Sequence, residues 1–364
     1  MFEDISDFKG PRLSSSALEL ARHVAEGGRQ VVVFGRNPEA EYLISEKLAT
    51  ALVDDRDLGG SFMGAGVVSL SSLSPNDILV NCSTSVSPID VQRYLNNNTN
   101  AGVIHYSDLH QFDKKIFKAP DFVESFKIEY DENSDFHRNF YSSLCDNESK
   151  KTFLNFIRYR YHFDVSAMNE YQVRIAEQYF EDFINLNGNA VVDGGGFDGD
   201  TAEEIAKRFP SFGQIHFFEP STVNMAKAKL RLQHVERVKF YECALSDASG
   251  SLAFDPDAGS ASQVISDAGK VVKVPCHRLD DIIAGQIDFI KLDLEGWELK
   301  ALQGGKFVIS RDRPKLAIAI YHAAEDLREI VTWVLNIYGV GRVKFYLRHY
   351  TQGWSETILY CIPV

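Results

Sequence analysis

The stretch Ala190-Val-Val-Asp-Gly-Gly-Gly-Phe-Asp-Gly-Asp-Thr201 decides the fold of this chain, because it predicts a buried strand, a glycine-rich turn and the start of a helix within twelve residues. Gly194, Gly195 and Gly196 have no Cβ, so a ligand can lie close to the main chain of the turn. The pattern is typical of the first strand and turn of a cofactor-binding α/β domain.

Acidic residues in this turn indicate what kind of ligand it binds. Asp193, Asp198 and Asp200 would repel a phosphate group, which normally binds at bare backbone amides and a helix N-terminus. Carboxylates suit a cofactor that carries positive charge and sugar hydroxyls. The turn is therefore predicted to bind S-adenosylmethionine, which has a sulfonium group and an ammonium group.

A second apolar strand, Gln214-Ile-His-Phe-Phe-Glu-Pro220, ends in an acid. Glu219 follows Asp193 by 26 residues, close to the roughly 20-residue offset at which a carboxylate meets ribose hydroxyls in doubly wound sheets. One carboxylate can accept hydrogen bonds from both hydroxyls. The predicted cofactor-binding residues lie in the glycine turn, after the second strand and at the ends of later strands. They are Asp193, Gly194, Gly195, Gly196, Phe197, Asp198, Thr201, Glu219, Pro220, Ala244 and Asp293.

Length and charge limit the class of protein. A chain of 364 residues suggests about two domains. The formal net charge of −13 and the pI near 5.3 argue against a surface dedicated to nucleic acid. No apolar run approaches the roughly 20 residues of a membrane span, and the start lacks a signal peptide. The five cysteines contain no C-x-x-C pair, so we expect a cytoplasmic protein with reduced thiols.

Residues 1–125 are predicted to form a Rossmann-like α/β domain. Apolar segments at 30–35, 51–55, 77–82 and 101–105 alternate with helical and turn patterns. The turn after the first segment keeps only Gly35 of the glycine fingerprint, so a structural or partner-binding role is favoured over nucleotide binding.

Residues 126–186 are predicted to form a helical connector, with an aromatic-rich helical run from 136 to 185. Its aromatic residues are expected to form core, although they could instead line an acceptor pocket. These residues are Phe153, Phe156, Tyr159, Tyr161 and Phe163.

Residues 187–364 are predicted to form a doubly wound α/β domain. Only Thr351–Ser355 separates its last two strands, too short for a parallel crossover, so these strands must pair antiparallel. A parallel sheet closed by such a hairpin is the arrangement of class I methyltransferases. The expected strands are 189–195, 214–219, 238–245, 287–293, 315–321, 343–350 and 356–362.

From about residue 190 onward, the chain resembles the FkbM family of S-adenosylmethionine-dependent methyltransferases. The motif that carries the likeness is Ile290-Lys-Leu-Asp-Leu-Glu-Gly-Trp-Glu298, followed by Leu302-Gln-Gly-Gly305. Further pieces occur in the expected order: VDGGGFDGDT, FFEP, ECALSD, HRLDDI, KLDLEGWE, IYH and YLRHY. The resemblance implies O-methylation of a hydroxyl on a saccharide, polysaccharide or polyketide-type acceptor. The N-terminal domain lies outside this family pattern.

Catalysis is predicted to depend on Asp293, Glu295 and His322, which all follow predicted strands. We hypothesise that His322 takes the proton of the acceptor hydroxyl, and that Asp293 or Glu295 orients the acceptor or the imidazole. A buried imidazole bound to backbone is the alternative for His322, and His349 is a weaker second candidate for the base.

Several alternatives stay open. Asp293, Glu295 and His322 could hold a divalent cation, although no metal is predicted. We expect a small-molecule or glycan acceptor and no nucleic-acid or membrane partner, and leave a homo-oligomer open. The chain could instead be a non-catalytic nucleotide- or S-adenosylmethionine-binding regulatory subunit of a glycan-synthesis complex.

Overall fold

The computed structural model describes residues 10–254 and 272–364, which form two compact units. The first unit contains the described residues up to Asp135, together with Lys151–Val173 and Tyr350–Ser355. The second contains Phe136–Lys150, the described part of Arg174–His349, and Glu356–Val364. The predicted connector at 126–186 is thus divided between the two units.

A six-stranded sheet lies at the centre of the first unit. Its strands are β1 (Val31–Phe34), β2 (Ala51–Val53), β3 (Ser61–Phe62), β4 (Ala65–Val68), β5 (Ile78–Asn81) and β6 (Gly102–His105). They lie in the order β3-β4-β2-β1-β5-β6, parallel except for the β3–β4 pair. Val32, Val33, Leu79 and Val80 are fully buried, as expected where a parallel sheet is covered on both faces. The predicted α/β class is confirmed, although β3 and β4 were not predicted.

The first two helices of the first unit begin at ordinary capping signals. The Ser14 side chain caps the first helix, and the Asn37 side chain caps the second, in which Pro38 is the first residue. The helices are α1 (Ser15–Glu26), α2 (Pro38–Ser45), α3 (Pro88–Asn98), α4 (Tyr106–Phe112) and α5 (Asp121–Glu132). Two more, α6 (Ser134–Ser143) and α7 (Asn147–His162), contain residues of both units.

The helical run predicted for 136–185 is wrong beyond His162. Phe163 adopts a φ of +52°, which an α-helix does not accommodate, and the Asp164 side chain then accepts the Ser166 N–H. Only short 3₁₀ turns follow, at Val165–Met168 and Ile175–Glu177.

Tyr159 and Phe163 are fully buried in the hydrophobic core of the first unit. Their ring centroids lie 5.7 and 5.8 Å from that of Phe122. These two aromatic residues therefore have the packing role that was expected of them.

Two sheets form the framework of the second unit. The strands are β7 (Ala190–Gly194), β8 (Gln214–Phe218), β9 (Val238–Tyr241), β10 (Ala244–Leu245), β11 (Gly250–Phe254), β12 (Val272–His277), β13 (Phe289–Leu292), β14 (Lys315–Ala319), β15 (Val343–His349) and β16 (Thr357–Pro363). The large sheet has the order β15-β16-β14-β13-β7-β8-β9. Its five strands from β14 to β9 are parallel, and β16 pairs antiparallel with both β14 and β15. The predicted class I methyltransferase arrangement with its closing hairpin is confirmed.

The strand predicted for 238–245 is in fact two strands in different sheets. β9 ends at Tyr241, and Ala244 pairs with Cys276 of β12 in the small sheet β10-β12-β11. The chain leaves the large sheet because β10 finds its hydrogen-bonding partner on β12, which no local pattern at 238–245 could indicate. The small β excursion expected near 252 and 270–274 is seen as β11 and β12, and residues 270–271 lie outside the described residues.

Six helices complete the described part of the second unit. They are α8 (Asp200–Arg208), α9 (Thr222–Arg231), α10 (Leu279–Ile282), α11 (Glu298–Gly304), α12 (Lys306–Asp312) and α13 (Asp326–Tyr338). No helix in the described ranges is both long enough and apolar enough to cross a membrane.

Candidate active site

The carboxyl ends of the parallel strands meet where β7 and β13 lie side by side. From β7 the chain continues to β8 and β9 on one side, and later returns to β13 and β14 on the other. Gly194 pairs with Leu292 of β13 and with Phe218 of β8, so these strand ends are level. Ligands of open α/β sheets bind outside such ends, at the point where the strand order reverses. This edge of the second unit is therefore the candidate active site.

The glycines of the loop are required by the packing of the protein itself. Gly195 has a φ of +73°, and a Cβ there would collide with the backbone carbonyl of Asp293. A Cβ on Gly196 would collide with the ring of Phe217. The glycines thus allow the loop to lie against β8 and the end of β13, and their number alone does not identify a ligand.

Two of the three loop carboxylates are paired with basic side chains. Asp193 is fully buried, with its Oδ1 3.1 Å from Nζ of Lys291. Asp198 accepts a hydrogen bond of 2.6 Å from Nη2 of Arg231. Asp200 is exposed in the first turn of α8. The loop therefore carries less uncompensated negative charge than its sequence suggested, and direct cofactor contacts by Asp193 and Asp198 stay predictions.

Lys291 is a site residue that sequence reasoning missed. Its side chain is 5% exposed, and its ammonium group also donates a hydrogen bond of 2.6 Å to the carbonyl of Gly195. Burial lowers the pKa of Lys291, but Asp193 and Asp293 outweigh burial and raise it above the usual value. Burial raises the pKa of Asp193, and Lys291 offsets only part of that rise. A lysine in the middle of an apolar strand was the signal that could have revealed this pair.

Glu219 connects the end of β8 to the glycine loop. It is 5% exposed, and its Oε2 and Oε1 accept the N–H groups of Phe197 at 3.0 Å and Ser221 at 2.8 Å. Burial raises the pKa of Glu219, and these two hydrogen bonds lower it in part. Asn224 also makes a side-chain hydrogen bond with Glu219. A carboxylate has about four lone-pair sites, so about one is left for a hydroxyl of a ligand. Phe197, whose N–H donates to this carboxylate, is 37% exposed.

The remaining predicted cofactor residues have different surroundings. Thr201 lies in the first turn of α8, and half-buried Pro220 follows Glu219. Ala244 belongs to the small sheet, although the neighbouring Leu245 packs against Gly194. Their contacts with a cofactor stay predictions.

The structure brings Asp293, Glu295 and His322 together at the ends of β13 and β14. Nε2 of His322 lies 3.6 Å from Oδ1 of Asp293 and 3.3 Å from Oε2 of Glu295. The two carboxylate side chains are 20% and 24% exposed, whereas the imidazole is 4% exposed. An incoming molecule therefore meets the carboxylates before it meets the imidazole.

Glu298 holds the other side of the His322 ring. Its Oε1 lies 3.0 Å from Nδ1 of His322 and accepts the Leu294 N–H at 2.6 Å. Burial would lower the pKa of His322, but the neighbouring carboxylates, Glu298 above all, outweigh burial and raise it well above its usual value. Glu298 was not among the predicted site residues, and its position against Nδ1 orients the imidazole.

Two phenols and a second carboxylate surround Asp293. Tyr321 donates to Oδ1 of Asp293 at 3.2 Å, and Tyr179 donates to Oδ2 at 3.2 Å. Glu356 lies within hydrogen-bonding distance of Tyr321, at 3.4 Å, and accepts a bond of 2.8 Å from Gln178. Burial and the charge of Asp293 raise the pKa of Glu356 to about 7. The sequence had singled out none of these four neighbours, because Tyr179, Gln178 and Glu356 lie far from the family motif along the chain.

His349 has a structural environment. It is 2% exposed on β15, and its Nδ1 lies 2.9 Å from Oγ1 of Thr357 on β16. This pairing holds the ring inside the hairpin and gives no support to His349 as the base.

Comparison with known proteins relates part of the chain to a family. Residues 193–340 match the model of the methyltransferase FkbM domain. The chain is 26% identical to the 2-O-methyltransferase NoeI of Sinorhizobium fredii over 34% of its own length. The match spans only 60% of that relative.

A solved structure shares the fold. The crystal structure of a methyltransferase FkbM from Methylobacillus flagellatus matches with a TM-score of 0.72 at 19% identity, covering 96% of this chain and 94% of that one. This likeness extends to the N-terminal part of the chain, which the family model does not include. Residues 193–340 therefore match the methyltransferase FkbM domain, and the chain shares the fold of a solved methyltransferase FkbM.

Proposed function

We propose that the chain is an S-adenosylmethionine-dependent O-methyltransferase that acts on a hydroxyl of a saccharide, polysaccharide or polyketide-type acceptor. The observation that carries the proposal is the cluster of Asp293, Glu295 and His322 beside the glycine loop, at the point where the strand order reverses. The name of the relative NoeI, a 2-O-methyltransferase, supports oxygen as the atom methylated.

The residues at the loop fit the proposed cofactor. Glu219 has about one lone-pair site left for a ribose hydroxyl, and the exposed residue Phe197, whose N–H donates to Glu219, offers apolar surface. The exposed carboxylate of Asp200 and the half-buried carboxylate of Glu295 would favour the cationic groups of the cofactor. When bound, S-adenosylmethionine supplies a methyl group that is already activated for transfer.

The protein then has to place the acceptor oxygen and remove its proton. Positioning can supply about 7–11 kcal/mol of the barrier, and proton removal by a side chain about 10²–10⁴-fold in rate. Glu295 and Asp293 are the more exposed members of the cluster, so the acceptor hydroxyl reaches them first. In this proposal the proton passes to the Glu295 carboxylate, while His322 and Glu298 hold that carboxylate in place.

The direct test is mass spectrometry of candidate saccharides after incubation with the full chain and S-adenosylmethionine. We expect a gain of one methyl group, and calorimetry should show that both the cofactor and its demethylated product bind. A chain that binds neither would refute the proposal. The glycan acceptor and the cytoplasmic location are part of this proposal.

Paired variants separate the two proton acceptors. If Glu295 takes the proton, Glu295→Gln loses at least a hundredfold in turnover, and His322→Ala loses less. If His322 takes it, as the sequence suggested, His322→Ala loses at least a hundredfold with nearly unchanged cofactor affinity. Glu236→Gln, at an exposed acidic position on the loop before β9, is the matched control and should behave like the parent chain.

A further inference from the structure

His322 is a buried polar side chain that the surrounding protein does not satisfy well. Its side chain is 4% exposed, and neither ring nitrogen makes a hydrogen bond of normal geometry with another described residue. Both nitrogens instead lie 3.0–3.6 Å from carboxylate oxygens. A buried polar group without a well-directed partner is rare, and a missing ion is one ordinary reason for it.

The spacing around Nε2 matches the ligand shell of a small divalent cation. Ligands about 2.1–2.2 Å from such an ion lie about 3.0–3.6 Å from each other at octahedral or tetrahedral angles. Nε2 of His322 is 3.3 Å from Glu295 and 3.6 Å from Asp293, and all three donor atoms lie within 4.8 Å of one another. The three side chains could therefore contact one ion with little movement.

The groups behind these three residues are those that a metal site needs. Histidine ligands usually give their second ring nitrogen to a carboxylate, and Glu298 lies 3.0 Å from Nδ1. Ligating carboxylates are usually hydrogen-bonded in turn, and Tyr321 and Tyr179 donate to Asp293.

A second set of possible ligands, Glu298, His322 and Asp326, is less suitable. Oε1 of Glu298 already accepts the Leu294 N–H, and Oδ2 of Asp326 accepts the Ala323 N–H at 2.7 Å. These two carboxylates thus already bind backbone N–H groups before the start of their helices. The more exposed acids, Asp293 and Glu295, lie on the Nε2 side of the imidazole.

We propose that Asp293, Glu295 and His322 bind one divalent cation of the Mn²⁺ type, with Nε2 of His322 as the nitrogen ligand. Two carboxylates and one imidazole suit such an ion better than Ca²⁺, which prefers a shell of oxygen atoms. The use of the ion in methyl transfer rests on the proposed function, since a cation there would make a coordinated acceptor hydroxyl more acidic.

Binding of Mn²⁺ alone tests this proposal without any assay of activity. The full chain, freed of metal by EDTA, is titrated with Mn²⁺ while electron paramagnetic resonance follows the free ion. One ion should bind per chain, and spin-echo spectra should show coupling to a coordinated imidazole ¹⁴N. Asp293→Asn and His322→Ala should each weaken binding at least tenfold, and His322→Ala should remove the nitrogen coupling. Glu236→Gln should change neither.

The outcomes are distinguishable even if a variant fails to fold, because the parent chain gives the first two readouts. No Mn²⁺ binding below millimolar concentration, or binding without nitrogen coupling, would overturn the cation site. Methyl transfer that persists in EDTA would leave the proposed function intact and remove the ion from it. Mn²⁺ binding by a chain that does not bind S-adenosylmethionine would refute the proposed function and leave the cation site.

Discussion

Replacement of Lys291 by methionine should strongly destabilise the second unit. The Lys291 side chain is 5% exposed, and its ammonium group is ion-paired with fully buried Asp193 at 3.1 Å and hydrogen-bonded to the carbonyl of Gly195 at 2.6 Å. Methionine keeps the volume but leaves a buried carboxylate without its cation. Breaking a buried pair from one side costs about 3–5 kcal/mol, so we expect a loss of that size in the free energy of unfolding.

Guanidinium unfolding followed by tryptophan fluorescence measures this loss, since Trp297 and Trp333 belong to the second unit and only Trp354 to the first. The double variant Asp193→Asn with Lys291→Met should recover part of the loss, because it removes the unpaired charge. Lys344→Met, at an exposed position on β15, is the control. A loss below about 1 kcal/mol, or a double variant no more stable than the single one, would refute the reasoning.

Three further changes have expected outcomes. Burial raises the pKa of Glu39 to about 7. The contribution of the neutral carboxyl to folding stability is complete below about pH 4.5 and is lost as the pH rises through about 7. Glu39→Gln should therefore stabilise the first unit by about 1–3 kcal/mol at pH 8 and hardly at pH 4.5. Denaturation at both pH values checks this, with exposed Glu41→Gln on the same helix as the control. Gly195→Ala should lower the melting temperature and abolish cofactor binding, because the added Cβ would collide with the carbonyl of Asp293. A φ of +73° by itself also costs an alanine about 1–2 kcal/mol. Gly285→Ala is the control and should have little effect, because a Cβ there would meet no atom within 4 Å. Glu219→Gln should weaken S-adenosylmethionine binding at least tenfold in calorimetry, and unchanged affinity would contradict the ribose role.

The division into two units limits which truncation variants are useful. Lys151–Val173 and Tyr350–Ser355 belong to the first unit, so a truncation near residue 125 would leave both segments without most of that unit. Variants of the full chain are therefore the better probes of what the first unit does.

Local patterns predicted most strands of the large sheet in the second unit and its closing hairpin. The strands β7, β8 and β13 are largely apolar and end at a glycine or just before an acid, and the seven residues between the last two strands are too few for a parallel crossover, so these strands form a hairpin. The errors arose where a long-range partner decides the structure. Ala244 pairs with Cys276, 32 residues later, and Phe163 ends a helix that the aromatic pattern appeared to continue.

The sequence by itself determined the fold class, the family resemblance and the acids at the ends of β7, β8 and β13, because these depend on periodicity and on spacing along the chain. It did not determine which carboxylates of the site are paired with basic side chains. Asp193 and Asp198 appeared as free carboxylates, but Lys291 and Arg231, distant in sequence, are paired with them. The tertiary structure also placed Glu298 against His322 and two phenols against Asp293. Electrostatic interactions act through space over a few ångströms, so only the folded chain decides which acids stay available to a ligand.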